Sequence, residues 1–155
     1  ALASARIDPA EAIAPALDEL ALGPDDLALD LRHDGASVSA DPVLLQRVVA
    51  NLLANAVRFS PAGSRVRVAT STFGDRVEIR VIDHGPGVDE ARREDIFLPF
   101  QRLGDTDNTT GLGLGLALSR GFIEAMGGRL VPETTPGGGL TMVVSLPRAD
   151  EEEPA

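Results

Sequence analysis

Residues 41–60 read DPVLLQRVVANLLANAVRFS, and the periodicity of this stretch decides the architecture. Asp41 before Pro42 is a helix start, because an aspartate accepts free amides at the N-cap and a proline presets the first turn. Leu44, Leu45, Val48, Val49, Leu52, Leu53 and Ala56 then recur at helical spacing and cover one arc. They predict a long helix to about Arg58 with its apolar face on a core. At ~100° per residue Asn55 falls inside the edge of that arc, while Arg47, Asn51 and Arg58 form a polar strip beside it. A buried amide without a partner costs about 1–3 kcal/mol. Asn55 is therefore either a structural asparagine bonded to backbone or a group facing a cavity that holds ligand or metal.

Downstream, residues 65–72 and 76–82 alternate in period two and are joined across Gly74-Asp75, which predicts a hairpin. Val77, Ile79 and Val81 share one face, and the same parity puts Asp83 on that apolar side at the strand's end. A carboxylate there needs a donor, or else caps the turn that follows. Gly85-Pro86-Gly87 allows that turn to be tight and lets another group approach the backbone closely. From Asp83 to about Gly111 periodicity is lost apart from the apolar island at residues 96–100. The polar, turn-rich residues 104–110 predict a lid, mobile when empty. Gly111, Gly113 and Gly115 then place glycines on alternate residues leading into a helix over 114–126, which stops at Gly127-Gly128. Amides freed of side chains at a helix N-terminus suit phosphate, although a glycine-rich turn alone is a weak signal. Residues 137–139, three glycines, read as a turn before a last strand over 140–146.

Upstream, Asp8-Pro9-Ala10-Glu11 predicts a helix with Asp8 as N-cap and Glu11 reaching back, its apolar face being Ile13, Leu17 and Leu20. Pro15 counts against it. Residues 27–32 alternate as a strand. The order helix, strand, helix, hairpin, loop, helix, strand predicts a two-layer α/β sandwich, with helices on one face of a mixed, mostly antiparallel sheet. Residues 1–40 open this domain, 41–147 form its core and 148–155 are an acidic tail.

The 155 residues suit one domain. Cysteine is absent, which excludes disulfides and thiolate chemistry, and the formal charge of −10 argues against nucleic acid. All 14 basic residues are arginine. Without lysine, neither a Walker-type phosphate loop nor a eukaryotic-type protein kinase site can operate, so a bound nucleotide would rely on arginine, amides and metal. No apolar run approaches the ~20 residues of a membrane span. The start, ALASARIDPAEAI, predicts a piece of a longer protein.

Taken in order, these signals resemble the N, G1, F, G2 and G3 boxes of the histidine kinase ATP-binding domain. The N box is residues 46–60 and G1 is Asp83-His84-Gly85-Pro86-Gly87. The F box is Ile96-Phe97-Leu98-Pro99-Phe100, and G2 is residues 111–117. The resemblance spans residues 41–147 and implies the Bergerat fold, with its flexible ATP lid, of the superfamily that includes gyrase, Hsp90 and MutL. It is nearest to the KdpD type, the potassium-responsive sensor kinases. Residues 102–110, then Glu124-Ala125-Met126-Gly127-Gly128 and residues 136–141, look like actinobacterial members.

By this resemblance, Asp83 accepts a hydrogen bond from the adenine amino group. Asn55 binds the Mg2+ that bridges the phosphates of ATP, with Asn51 beside it as a catalytic candidate. Arg58 contacts phosphate where many relatives have lysine, and Phe59 lies against adenine. Gly85 and Gly87 shape the pocket floor, while Gly111, Leu112, Gly113, Leu114 and Gly115 offer backbone to the phosphates. Arg102 approaches the terminal phosphate and stabilises transfer.

Two departures qualify the resemblance. G3 here has Leu140 and Met142 where relatives carry a small hydroxyl residue and a phenylalanine, so little function is expected of that box. The phosphoacceptor histidine box is missing, and His33 and His84 read as ordinary solvent-facing or packing histidines. The chain is thus expected to bind ATP and to phosphorylate a histidine on a dimerisation domain lying N-terminal to Ala1. It would itself be a monomer, the cytoplasmic part of a membrane-anchored sensor that serves a response regulator. The alternatives are a serine kinase of the anti-sigma-factor type and a nucleotide-binding signalling module without transfer. A gyrase- or Hsp90-like ATPase would place a glutamate where Asn51 stands.

Overall fold

Asp41 caps the central helix as its position requires: Oδ1 accepts the amides of Val43 at 3.1 Å and Leu44 at 3.2 Å, and the helix runs Pro42–Phe59. Ser60 ends it in extended conformation, as the residue before Pro61 must. Leu45, Val48, Val49, Leu52, Leu53 and Ala56 are buried, each large side chain contributing about 1.5–3 kcal/mol of transfer free energy.

The computed structural model describes residues 2–98 and 112–149, with side chains from Gly115 onward in the last helix. In chain order the elements are β1 (Ala5–Ile7), α1 (Ala10–Glu19), β2 (Leu27–Arg32), β3 (Val38–Ala40), α2 (Pro42–Phe59), β4 (Val66–Phe73) and β5 (Arg76–Ile82). A 3₁₀ segment (Glu90–Phe97), α3 (Leu112–Ala125), β6 (Arg129–Thr134) and β7 (Leu140–Pro147) follow. The main sheet has the order β2-β4-β5-β7-β6. Its β2–β4 pair is parallel and the others are antiparallel. The helices form a second layer on one face, with α2 between α1 and α3 and against β4 and β5. Val66, Val68, Val77, Ile79 and Val81 face α2 from β4 and β5, and Val144 and Leu146 of β7 belong to the same core, all buried on alternate positions. The expected two-layer α/β sandwich is the fold that forms.

Four features differ from expectation. β6 is a strand that Pro132 conceals, since proline cannot donate to a ladder; β6 lies at the sheet's edge, where proline is tolerated. The pair β1–β3 is a separate sheet of three-residue strands, too short to show a pattern. It joins the end of β7 through the Val38–Arg148 bridge and the bond from Ala149 N to Ser37 O at 2.8 Å. α3 begins at Leu112, two residues before the expected start. At α1, Asp8 Oδ1 does accept the amide of Ala10 at 2.8 Å, but Pro9 occupies the cap position and Glu11 is exposed, with no reciprocal bond. Pro15 sits inside α1 and removes one rung, which the burial of Ala12, Ile13 and Ala16 offsets. The lid at 104–110, together with Pro99, Phe100 and the tail from residue 150, lies outside the described residues.

Candidate functional site

The alternation of β5 carries Asp83 to the apolar side, where it is only 5% exposed. Its Oδ1 accepts the amide of Gly85 at 2.9 Å and that of Leu140 at 3.1 Å, and its own amide donates to Leu140 O at 3.0 Å. Among the described residues no donor reaches Oδ2. Asp83 therefore both caps the turn and holds one carboxylate oxygen in reserve. A buried carboxylate left half-satisfied marks a place where a ligand donor is wanted.

Two glycines fix that position. A Cβ on Gly85 would lie 2.2 Å from the carbonyl oxygen of Phe59, the last residue of α2. A Cβ on Gly139, whose φ is +120°, would lie 2.0 Å from Asp83 O. Only glycine lets the end of α2, the turn after β5 and the turn before β7 meet backbone to backbone. Gly87, at φ +74°, turns the chain beside Gly139 O. Thr135 and Thr141, both buried, close the same turn with their hydroxyls 2.9 Å apart.

The polar strip of α2 runs from this point toward α3. Phe59, Asn55 and Asn51 are four residues apart, so the strip spans ~12 Å at 1.5 Å per residue. Arg58 stands over the Phe59 ring at 5.7 Å and has a further partner. Asn55 is half-buried, and among the described residues its side chain makes no hydrogen bond. Asn51 Nδ2 donates to Ser119 Oγ of α3 at 3.2 Å. With α3 starting at Leu112, the amides of Leu112, Gly113 and Leu114 in its first turn lack intrahelical acceptors. On the other side of the 99–111 segment, Arg120 of α3 stacks on buried Phe97 at 3.8 Å and pairs with Glu94 at 2.9 Å.

The structure thus sets Asp83, Gly85 and Gly87 by the Phe59 end of α2, with Asn55 and Asn51 one and two turns back along the helix and Gly115 of α3 against Asn51. Arg102 and Gly111 lie outside the described residues, as do the side chains of Leu112 and Leu114. Sequence reading missed Gly139, the Leu140 amide and Ser119. The three-glycine run was the available signal for the first two. Neither histidine joins this group: His84 is exposed, and His33 is 8% exposed, between Thr70 Oγ1 at 2.9 Å and Asp8 Oδ1 at 3.0 Å.

The sequence pattern of the family described as histidine kinase-, DNA gyrase B-, and HSP90-like ATPase matches residues 40–150. The chain is 60% identical to the sensor protein KdpD of Rathayibacter rathayi over 97% of its own length and 17% of that protein's. It therefore spans about a sixth of that relative. Among solved structures, the mycobacterial sensor histidine kinase MprB superposes with a TM-score of 0.79 at 27% identity, covering 94% of this chain and 97% of that one. The ATP-binding domain of PrrB from Mycobacterium tuberculosis gives 0.75 at 28%, covering 96% and 99%. With most of its length matched and its fold shared, the chain belongs to the histidine kinase-, DNA gyrase B- and HSP90-like ATPase family, as an ATP-binding domain of the sensor histidine kinase type.

Proposed function

We propose that this domain binds Mg-ATP along the polar strip of α2 and positions its γ-phosphoryl group for transfer to a histidine on another domain of the same sensor protein. The observation that carries the reading is Asp83, buried with Oδ1 satisfied by two amides and Oδ2 without a donor among the described residues. An exocyclic adenine amino group is a donor of the right kind for that oxygen. Gly85 supports the placement, since the backbone approach it permits holds the Asp83 turn against the end of α2.

The remaining assignments follow the direction of the strip. Phe59 packs against the base, and Asn55, whose side chain has no partner among the described residues, is the oxygen ligand for Mg2+. Among the described residues no cluster of three or more histidine, cysteine, aspartate or glutamate side chains could hold a metal ion. The ion would thus depend on Asn55 together with phosphate oxygens, which fits a cation that keeps water and bridges phosphates. When bound, Mg2+ neutralises charge developing on the phosphoryl oxygens. The backbone amides from Gly111 to Gly115 cradle the phosphates, and Arg58 and Arg102 add positive charge.

Asn51 is an amide hydrogen-bonded to Ser119 and cannot abstract a proton from water, which argues against hydrolysis of the gyrase or Hsp90 kind. Transfer here is positioning and charge stabilisation, while the attacking imidazole belongs to a neighbouring dimerisation domain. The similarity to KdpD further suggests a response regulator as the onward acceptor and a membrane-anchored sensor with this domain on its cytoplasmic side. Among the described residues no helix is long and apolar enough to cross a membrane. Residues 1–147 form the working unit, with 1–40 part of the same domain and 148–155 a tail, and it acts as a monomer.

The test is phosphorylation of the longer protein, carrying the upstream helices, with γ-labelled ATP. Acid-labile, alkali-stable label is expected, and its loss in Asp83→Ala. Acid-stable label on a separate protein would favour a serine kinase, and nucleotide binding without label would leave a signalling module.

A further inference from the structure

We propose that Ser119 is a positioning residue for Asn51: it holds the carboxamide with Nδ2 against α3 and Oδ1 free for the phosphate end of the nucleotide. The inference rests on the nucleotide reading above. Ser119 is fully buried, at 0% exposure, yet carries a hydroxyl in the middle of an otherwise apolar helix face between Gly115 and Ile123. Its hydrogen-bond partner is Asn51 Nδ2 at 3.2 Å, from a residue 68 positions earlier in the chain. Among the described residues Asn51 Oδ1 has no donor.

The surroundings explain why this orientation needs a device. Gly115 lies one turn before Ser119 on the same face, and a Cβ there would stand 3.4 Å from Asn51 Nδ2, 3.6 Å from Cγ and 3.8 Å from Oδ1. The carboxamide thus lies flat against the first turns of α3 with both polar ends close to the helix, and steric contact does not distinguish its two ends. Oxygen and amino group are nearly the same size, so only a hydrogen bond tells them apart. A hydroxyl can receive Nδ2–H where an aliphatic side chain cannot. Since α3 begins at the glycine box, the same bond ties Asn51 to the helix whose first amides face the phosphates.

The experiment has a nucleotide-free arm and a nucleotide arm. In the apo protein, NMR of the side-chain amides should show Asn51 Hδ2 protons as a dispersed pair protected from solvent exchange, and Ser119→Ala should move them toward the free-amide position. Ser119→Thr, which keeps Oγ, should hold them in place. By calorimetry, the ratio of ATP affinity with magnesium to that without should fall about three- to tenfold in Ser119→Ala, the scale of one lost neutral hydrogen bond. It should recover in Ser119→Thr, and Ser119→Ala should add nothing in an Asn51→Ala background. An unchanged ratio in a folded Ser119→Ala protein, or additive effects in the double variant, would overturn the proposal. If wild type bound no ATP while the amide pair behaved as described, the nucleotide reading would fail and the positioning contact would stand on its own.

Discussion

Replacing Gly139 by alanine should cost far more than replacing its neighbour Gly137, although both adopt positive φ in one turn. Gly137, at φ +87°, has open space where a Cβ would go, so Gly137→Ala meets only backbone strain, about 1 kcal/mol. At Gly139, φ is +120° and the new Cβ would lie 2.0 Å from Asp83 O, 2.8 Å from Asp83 C and 2.8 Å from His84 Cα. All three atoms are backbone and none can rotate away. Restoring an ordinary contact requires the two turns to part by roughly 1.5 Å. That displacement breaks the pair of bonds between Asp83 N and Leu140 O and between Leu140 N and Asp83 Oδ1. Strain of about 1–3 kcal/mol and overpacking of about 1–3 kcal/mol together put Gly139→Ala at ~2–6 kcal/mol. Urea unfolding of the two variants side by side reads the difference directly, and ATP titration should show Gly139→Ala weakened where Gly137→Ala is not. Equal stability and equal affinity for the two would refute the close approach of the β7 turn to Asp83.

Other outcomes follow from the same geometry. Asn55→Ala should leave magnesium-free ATP binding nearly intact while removing most of the gain from magnesium, measured by paired calorimetric titrations. Asp41→Ala should destabilise the domain through loss of the α2 cap. The amide of Ala3, then those of Leu44 and Val43, hold the Asp41 carboxyl below its ordinary value of 3.8. A folded pKa that is depressed gives stability present above the unfolded value and lost as pH falls through the folded one, so the wild-type advantage in urea should be full above pH 3.8 and shrink below it. Arg120→Ala removes the stack on Phe97 and the pair with Glu94, and should lower unfolding free energy by about 0.5–1 kcal/mol.

The elements that sequence made legible are those whose periodicity is long. The Asp41-Pro42 start and the seven apolar positions after it specify α2 because no other structure buries that arc. The parity of Val77, Ile79 and Val81 carried Asp83 inward without any knowledge of its partner. β6 was hidden because Pro132 is evidence against a central strand and silent about an edge. β1 and β3 are shorter than one alternation can reveal. At the site, side chains out of keeping with their neighbours could be seen, as with Asn55 on an apolar face and Asp83 on an apolar parity. The Leu140 amide and the close approach at Gly139 could not, because they arise where two turns 57 residues apart meet, and a backbone donor leaves no mark in side-chain chemistry. Ser119 was invisible for a related reason: a lone serine in a helix reads as filler until the asparagine opposite it is known.

The most direct test of the account is calorimetric titration of ATP into this chain, with and without magnesium, for wild type and Asp83→Ala. One site with magnesium-dependent affinity is expected in wild type. Losing a hydrogen bond to a buried charged group, about 1.5–3 kcal/mol, should weaken Asp83→Ala by about ten- to a hundredfold. Undiminished binding by a folded Asp83→Ala protein, or no binding of ATP by wild type, would contradict the nucleotide site described for this domain.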